Sequence, residues 1–259
     1  MRSRALVLLC VSACTCAASV ALRVRSEPPA PIDAVDGMRA RERQHFVARF
    51  EGDARERVAW TALDILERAY FHLGDKLGLH PTESITVVIY TGAQYQKAVA
   101  APDWSQGVYD GKIHIREGSL SLDRKAIEGI LRHEYTHAAL AMLHTPLPAW
   151  FNEGLAERFE GTAPATARAV CAEARKRAAL PAWESLQQRS FVGIADGKAA
   201  GVAYAASCSL VEALVALRGE YALQLLIKDL AAGAAFESAF QAVFARSSQA
   251  HYKAWVDSL

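Results

Sequence analysis

The segment His133-Glu134-Tyr135-Thr136-His137 combines residue types and spacing that can do chemistry. On a helix, residues four apart lie one turn above each other, so both imidazoles project from the same face. That geometry lets two ring nitrogens reach one metal ion at about 2.0–2.1 Å. Glu134, one position on from His133, is turned about 100° aside, toward the coordination position left open for water. Zinc lowers the pKa of such a water to about 7, and a nearby carboxylate can take its proton. Taken singly, each histidine would more often be a satisfied core residue. Their face is shared with Ala126, Ile130 and Leu140, however, and is therefore expected to be buried. Two histidines and a carboxylate on a buried face need partners, and a metal supplies one.

A third ligand has to come from elsewhere in the chain. The stretch Thr145-Pro146-Leu147-Pro148 ends the first helix and folds a second one back on it, with proline suiting the new first turn. On that helix Trp150, Glu153 and Glu157 project to one face, and Phe151, Leu155 and Phe159 to another. Gly154 beside Glu153 removes a side chain where two helices must approach closely. Glu153 is the expected third ligand. Glu157, one turn on, is expected to accept a hydrogen bond from the second ring nitrogen of His133. The competing description of both glutamates is exposed helix charge.

The order His133-Glu-Tyr-Thr-His137 followed by Pro148-Ala-Trp-Phe-Asn-Glu-Gly-Leu-Ala-Glu157 resembles the gluzincin metallopeptidases, and among them the compact bacterial peptidase MA-like domains. The similarity runs from about His45 to the C-terminus. It implies a zincin-like α+β domain with one Zn2+ per chain, held by His133, His137 and Glu153, and Glu134 as general base. It further implies a peptide or protein substrate. Related enzymes lay an extended substrate along an edge strand, which maps here to Lys112–Arg116, with Ile113, His114 and Ile115 as the contact residues. They also place an oxyanion-stabilising tyrosine downstream of the ligands, which maps to Tyr204. The Gly-Ala-Met-Glu-Asn motif of aminopeptidases is absent, and Gly107–Gly111 occupies that region. Two alternatives stand beside peptide hydrolysis: a non-catalytic zinc-binding envelope lipoprotein with a binding or assembly role, and zinc hydrolysis of another amide or ester.

The elements that must position these residues follow from periodicity. His45–Phe50 alternates as a short strand, and Ala54–Leu77 carries apolar residues at helical spacing up to Gly78. Ile85–Tyr90 is a β-branched run that predicts a buried strand. Gly107–Gly111 predicts a turn feeding Lys112–Arg116, and Asp123–Leu143 predicts the long helix that carries both histidines. From Ala165 onward the pattern is helical, broken near Pro181, Gly193–Gly197, Gly219 and Gly233. The expected organisation is a leader over 1–25, a linker over 26–43 and one domain over 44–259. Within that domain the small mixed sheet and active helix occupy 44–160, and a helical part fills 161–259.

At the N-terminus Arg2 and Arg4 precede the apolar run Ala5–Ala13, the layout of an export signal. Val11-Ser12-Ala13-Cys14 resembles a lipobox, which would lipidate Cys14 and tie the chain to a membrane. Cleavage near Ala18 and an uncleaved anchor over Ala5–Leu22 are the alternatives. Either way the expected location is the bacterial periplasm or cell envelope. Of five cysteines only Cys171 and Cys208 lie in the body, where a disulfide and two buried thiols are both open. A net charge of +1, from 29 basic and 28 acidic residues, offers no electrostatic ground for a nucleic-acid partner. No acidic loop suggests structural calcium.

Overall fold

A computed structural model describes residues 37–99, 107–118, 124–191, 194 and 196–259. The leader, with Cys14, lies outside the described residues.

Strands β1 (Arg39–Glu42), β2 (Phe46–Phe50), β3 (Ile85–Tyr90), β4 (Gly107–Tyr109) and β5 (Ile113–Arg116) form one mixed sheet in the order β1-β2-β3-β5-β4. The sheet begins inside the stretch expected as linker, because β1 pairs antiparallel with β2. In β2 the side chains of Phe46, Ala48 and Phe50 alternate into the core. β2, β3 and β5 run parallel, so each pair needs a crossover. Helix α1 (Glu56–Leu77) supplies the first, ending at Gly78 in the left-handed conformation (φ 72°). Helix α2 (Gly92–Ala98), closed by a capping box at Thr91 and Gln94, starts the second.

The sheet order corrects one expectation. β5 lies between β3 and β4, so Ile113–Arg116 is not an edge strand. Ile113 and Ile115 sit fully buried in the main core, and His114 stacks on Tyr90 across the opposite face. His114 is tied to the Tyr90 hydroxyl at 3.1 Å and to Asp110 Oδ1 at 2.7 Å. The three residues expected to meet substrate are therefore packing residues. Gly107–Tyr109, expected as a turn, is the marginal strand, and the reversal itself is Asp110–Lys112 with Gly111 at φ 108°.

Helix α3 (Arg124–Ala141) packs on α1 and on the sheet. A tight turn through Met142 and Leu143 ends it, and Pro148 opens α4 (Ala149–Glu160). The helical remainder is α5 (Pro164–Lys176), α6 (Trp183–Leu186), α7 (Gly197–Arg218), α8 (Glu220–Ala231), α9 (Phe236–Phe244) and α10 (Ser248–Ser258). α4 is the central element, buried nearly all round between α3 and α7. Trp150 is locked among Trp183, Phe236 and Phe240. At Gly154 an added Cβ would lie 2.4 Å from Ser207 O and 2.6 Å from Val211 Cγ2, so only glycine lets α7 come this close. α7 is long and apolar enough to cross a bilayer, yet here it is the partner that covers α4. Cys171 and Cys208 are both buried free thiols.

Candidate metal centre

The crossing of α3 and α4 brings His133, His137 and Glu153 together, with ligand atoms all within 4.8 Å of one another. Glu153 Oε2 stands 3.6 Å from His133 Nε2 and 3.3 Å from His137 Nε2. All three side chains are at most 5% exposed. The opposite ring nitrogens are engaged: His133 Nδ1 with Glu160 Oε2 at 2.9 Å, and His137 Nδ1 with Asn152 Oδ1 at 3.2 Å. A carboxylate and an amide carbonyl only accept, so each Nδ1 donates its proton and each Nε2 presents a bare lone pair. Three acceptors thus converge among buried side chains, and His133 Nε2 and Glu153 Oε2 have no hydrogen-bond partner. Buried acceptors facing one another require a cation between them. The donor set fits a metal such as zinc.

Without a metal a proton has to serve. Burial pushes the His133 imidazole toward neutrality, but its contacts with Glu153 and Glu160 outweigh that and hold its pKa well above the ordinary value. Burial would raise Glu153, yet the His137 and His133 rings bring it down to about 2. Glu134 behaves differently. Fully buried, with both carboxylate oxygens unpartnered, it is raised by desolvation to about 7 despite the two imidazoles nearby. Gly107 of β4 lies directly against it, where a Cβ would come within 2.9 Å of Glu134 Cγ and Oε1. β4, the strand at this end of the sheet, therefore abuts Glu134.

Glu157 is displaced from its expected contact. Glu160, not Glu157, meets the second nitrogen of His133, while Glu157 Oε2 accepts from Thr162 Oγ1 at 2.6 Å. Seven residues along a helix return within about 20° of the starting azimuth, whereas four overshoot by about 40°. Glu160 is thus more nearly in line with Glu153, and the His133 ring spans the two turns between them. Glu157 stays buried beside the cluster, raised to about 7 by desolvation and by the charge of Glu160. Gly129, one turn before His133, makes room for Glu160: a Cβ there would press on Glu160 Cγ at 3.2 Å.

Tyr204 enters from α7. It is buried, its hydroxyl has no partner, and burial followed by the charges of Glu153, Glu157 and Glu134 pushes its pKa well above the ordinary tyrosine value. The phenol is therefore a neutral donor at any working pH, close to the carboxylates of the centre. Phe191 packs edge-on against its ring at 5.4 Å.

The Peptidase MA superfamily model matches residues 66–259, which runs from within α1 to the C-terminus and includes every residue of the centre. The chain belongs to the Peptidase MA superfamily. As a member it is a gluzincin-type, metallopeptidase-like protein, with the mixed sheet in front and helices behind that this class builds. No curated protein sequence matches the chain.

Proposed function

We propose that this Peptidase MA member is an exported zinc metallopeptidase, working in the bacterial periplasm or cell envelope on peptide or protein. The observation that carries the proposal is the convergence of three bare acceptors beside a buried, unpartnered glutamate. His133 and His137 through Nε2, and Glu153 through its carboxylate, would hold the zinc. When bound, zinc supplies Lewis-acid polarisation of the scissile carbonyl and acidifies the attacking water. Glu134 takes the proton from that water and passes it to the departing amine nitrogen. In the metal-free chain burial raises its carboxyl to about 7, so the group can hold or release a proton near neutral pH. Glu134 beside a bound dication would be held in its ionised form, the form that accepts a proton. Tyr204 donates its hydroxyl proton to the oxygen on which negative charge develops. Glu160 and Asn152 fix the ring orientation and tautomer of the two histidines. Support for export is the basic-then-apolar N-terminal segment with Cys14 as its lipidation candidate.

The test is Glu134→Gln, which is expected to keep bound zinc and lose chelator-sensitive cleavage of a peptide library. Undiminished turnover in that variant would remove Glu134 from the role of base. Tyr204→Phe is expected to lower kcat by about 10²–10³-fold with KM little changed.

A further inference from the structure

Two of the cavities bordering the helices that build the centre differ in charge. The larger, about 390 Å³, is lined by Lys76, Arg158, Glu212 and Glu220. Its cations are already neutralised: Lys76 Nζ meets Glu220 at 2.6 Å, and Arg158 pairs with both Glu220 and Glu212. The smaller, about 250 Å³, shares His137 and Asn152 with the metal centre. Leu140 and Leu147 give it an apolar wall, and among the described residues no aspartate or glutamate lines it. Arg189, on the segment after α6, contributes the one full positive charge among its lining residues. Its guanidinium forms no ion pair or hydrogen bond with any described residue. The volume is below the ~300–1,000 Å³ of sites for drug-sized ligands, and suits a single residue of a chain.

A guanidinium with no partner among the described residues, lining a pocket whose apolar wall is Leu140 and Leu147, suits a carboxylate. Its planar fork matches the two oxygens, and no acid among the described residues lines the pocket to compete. We infer that this pocket seats the substrate residue adjacent to the scissile bond, and that Arg189 selects for a carboxylate on that residue. The carboxylate is either an acidic side chain or the substrate's own C-terminus. Substrate choice in this protein is thereby electrostatic as well as apolar. The inference rests on the peptidase proposal for the location of the scissile bond, and its test is a binding measurement that needs no turnover.

The probes are tetrapeptides, each made as four twins: internal Glu or Gln, with the C-terminus free or amidated. Binding is measured by calorimetry on the zinc-loaded, full-length Glu134→Gln protein, with and without Arg189→Gln. A charge-assisted contact of this kind is expected to make the favoured carboxylate twin bind about 10- to 100-fold more tightly. The preference should weaken with salt, disappear in Arg189→Gln and persist in part in Arg189→Lys. Arg189 is exposed, so the variant should keep its zinc and its Tm. Preference for internal Glu identifies an acidic side chain as the ligand; preference for the free terminus identifies end recognition. Equal or undetectable binding of all twins, or a preference that survives Arg189→Gln, overturns the inference. If the wild-type protein cleaves no peptide while the twins are still discriminated, the peptidase proposal fails and the pocket assignment stands.

Discussion

Gly154→Ala isolates the contact on which the position of Glu153 depends. Alanine is the better helix former by about 1 kcal/mol, so an unconstrained site would gain stability. Here the new Cβ would stand 2.4 Å from Ser207 O, and ordinary contact begins at 3.4 Å, a deficit of 3.4 − 2.4 = 1.0 Å. The nearest obstructing atom is α7 backbone, which no side-chain rotation can move aside, and Val211 Cγ2 stands close behind it at 2.6 Å. The helices must separate, and overpacking of this kind costs typically 1–3 kcal/mol, toward the upper end where backbone must shift. Subtracting the propensity gain leaves a net loss of about 2 kcal/mol. For a domain of this size that lowers Tm by roughly 4–8 °C. The separation also carries Glu153 away from the histidines, so zinc affinity should fall together with stability. The matched control is Gly201→Ala on α7, where an added Cβ meets nothing within 4 Å. It should gain about 0.5–1 kcal/mol. Both are read by thermal unfolding with and without chelator, alongside a competitive zinc titration. If Gly154→Ala is as stable and binds zinc as tightly as Gly201→Ala, the close approach of α4 and α7 does not set the ligand.

Glu160→Ala should weaken zinc binding about 10- to 100-fold through loss of the Nδ1 contact on His133, with Glu157→Gln changing it far less; equal effects in a competitive titration would contradict that assignment. In the metal-free protein, burial raises Glu134 from 4.5 to about 7. Below pH 4.5 the group is protonated in both states and costs nothing. As pH rises toward 7 the unfolded chain ionises while the folded one does not, so stability is lost, by about 3 kcal/mol at 1.36 kcal/mol per unit. Glu134→Gln should remove that loss, so urea unfolding in chelator at pH 5 and pH 8 should show a flatter dependence in the variant. An unchanged slope would mean that Glu134 is not held protonated in the folded chain.

The parts of the site that depend on one helix alone could be read directly from spacing. His133 and His137 needed only the four-residue repeat, and Gly154 beside Glu153 announced a close helix approach that the contact with Ser207 now explains. What escaped depends on how elements meet. The azimuth of α4 against α3 decides between Glu157 and Glu160, and no local pattern fixes it. Sheet order is likewise a tertiary property: β5 had the stronger strand signal because it is buried on both sides, whereas β4 is three residues long and starts at glycine. A short marginal strand carries almost no alternation to detect. Arg189 looked like any loop arginine, since the lack of an acid near it exists only in the folded chain.

The most direct test of the metal centre is zinc content by mass spectrometry on the folded protein, beside His133→Ala and Glu153→Ala. One zinc per chain in the wild type, lost or strongly weakened in both variants, is the predicted result. A folded wild-type protein that takes up no zinc on reconstitution, or variants that retain it fully, would contradict a centre built from His133, His137 and Glu153.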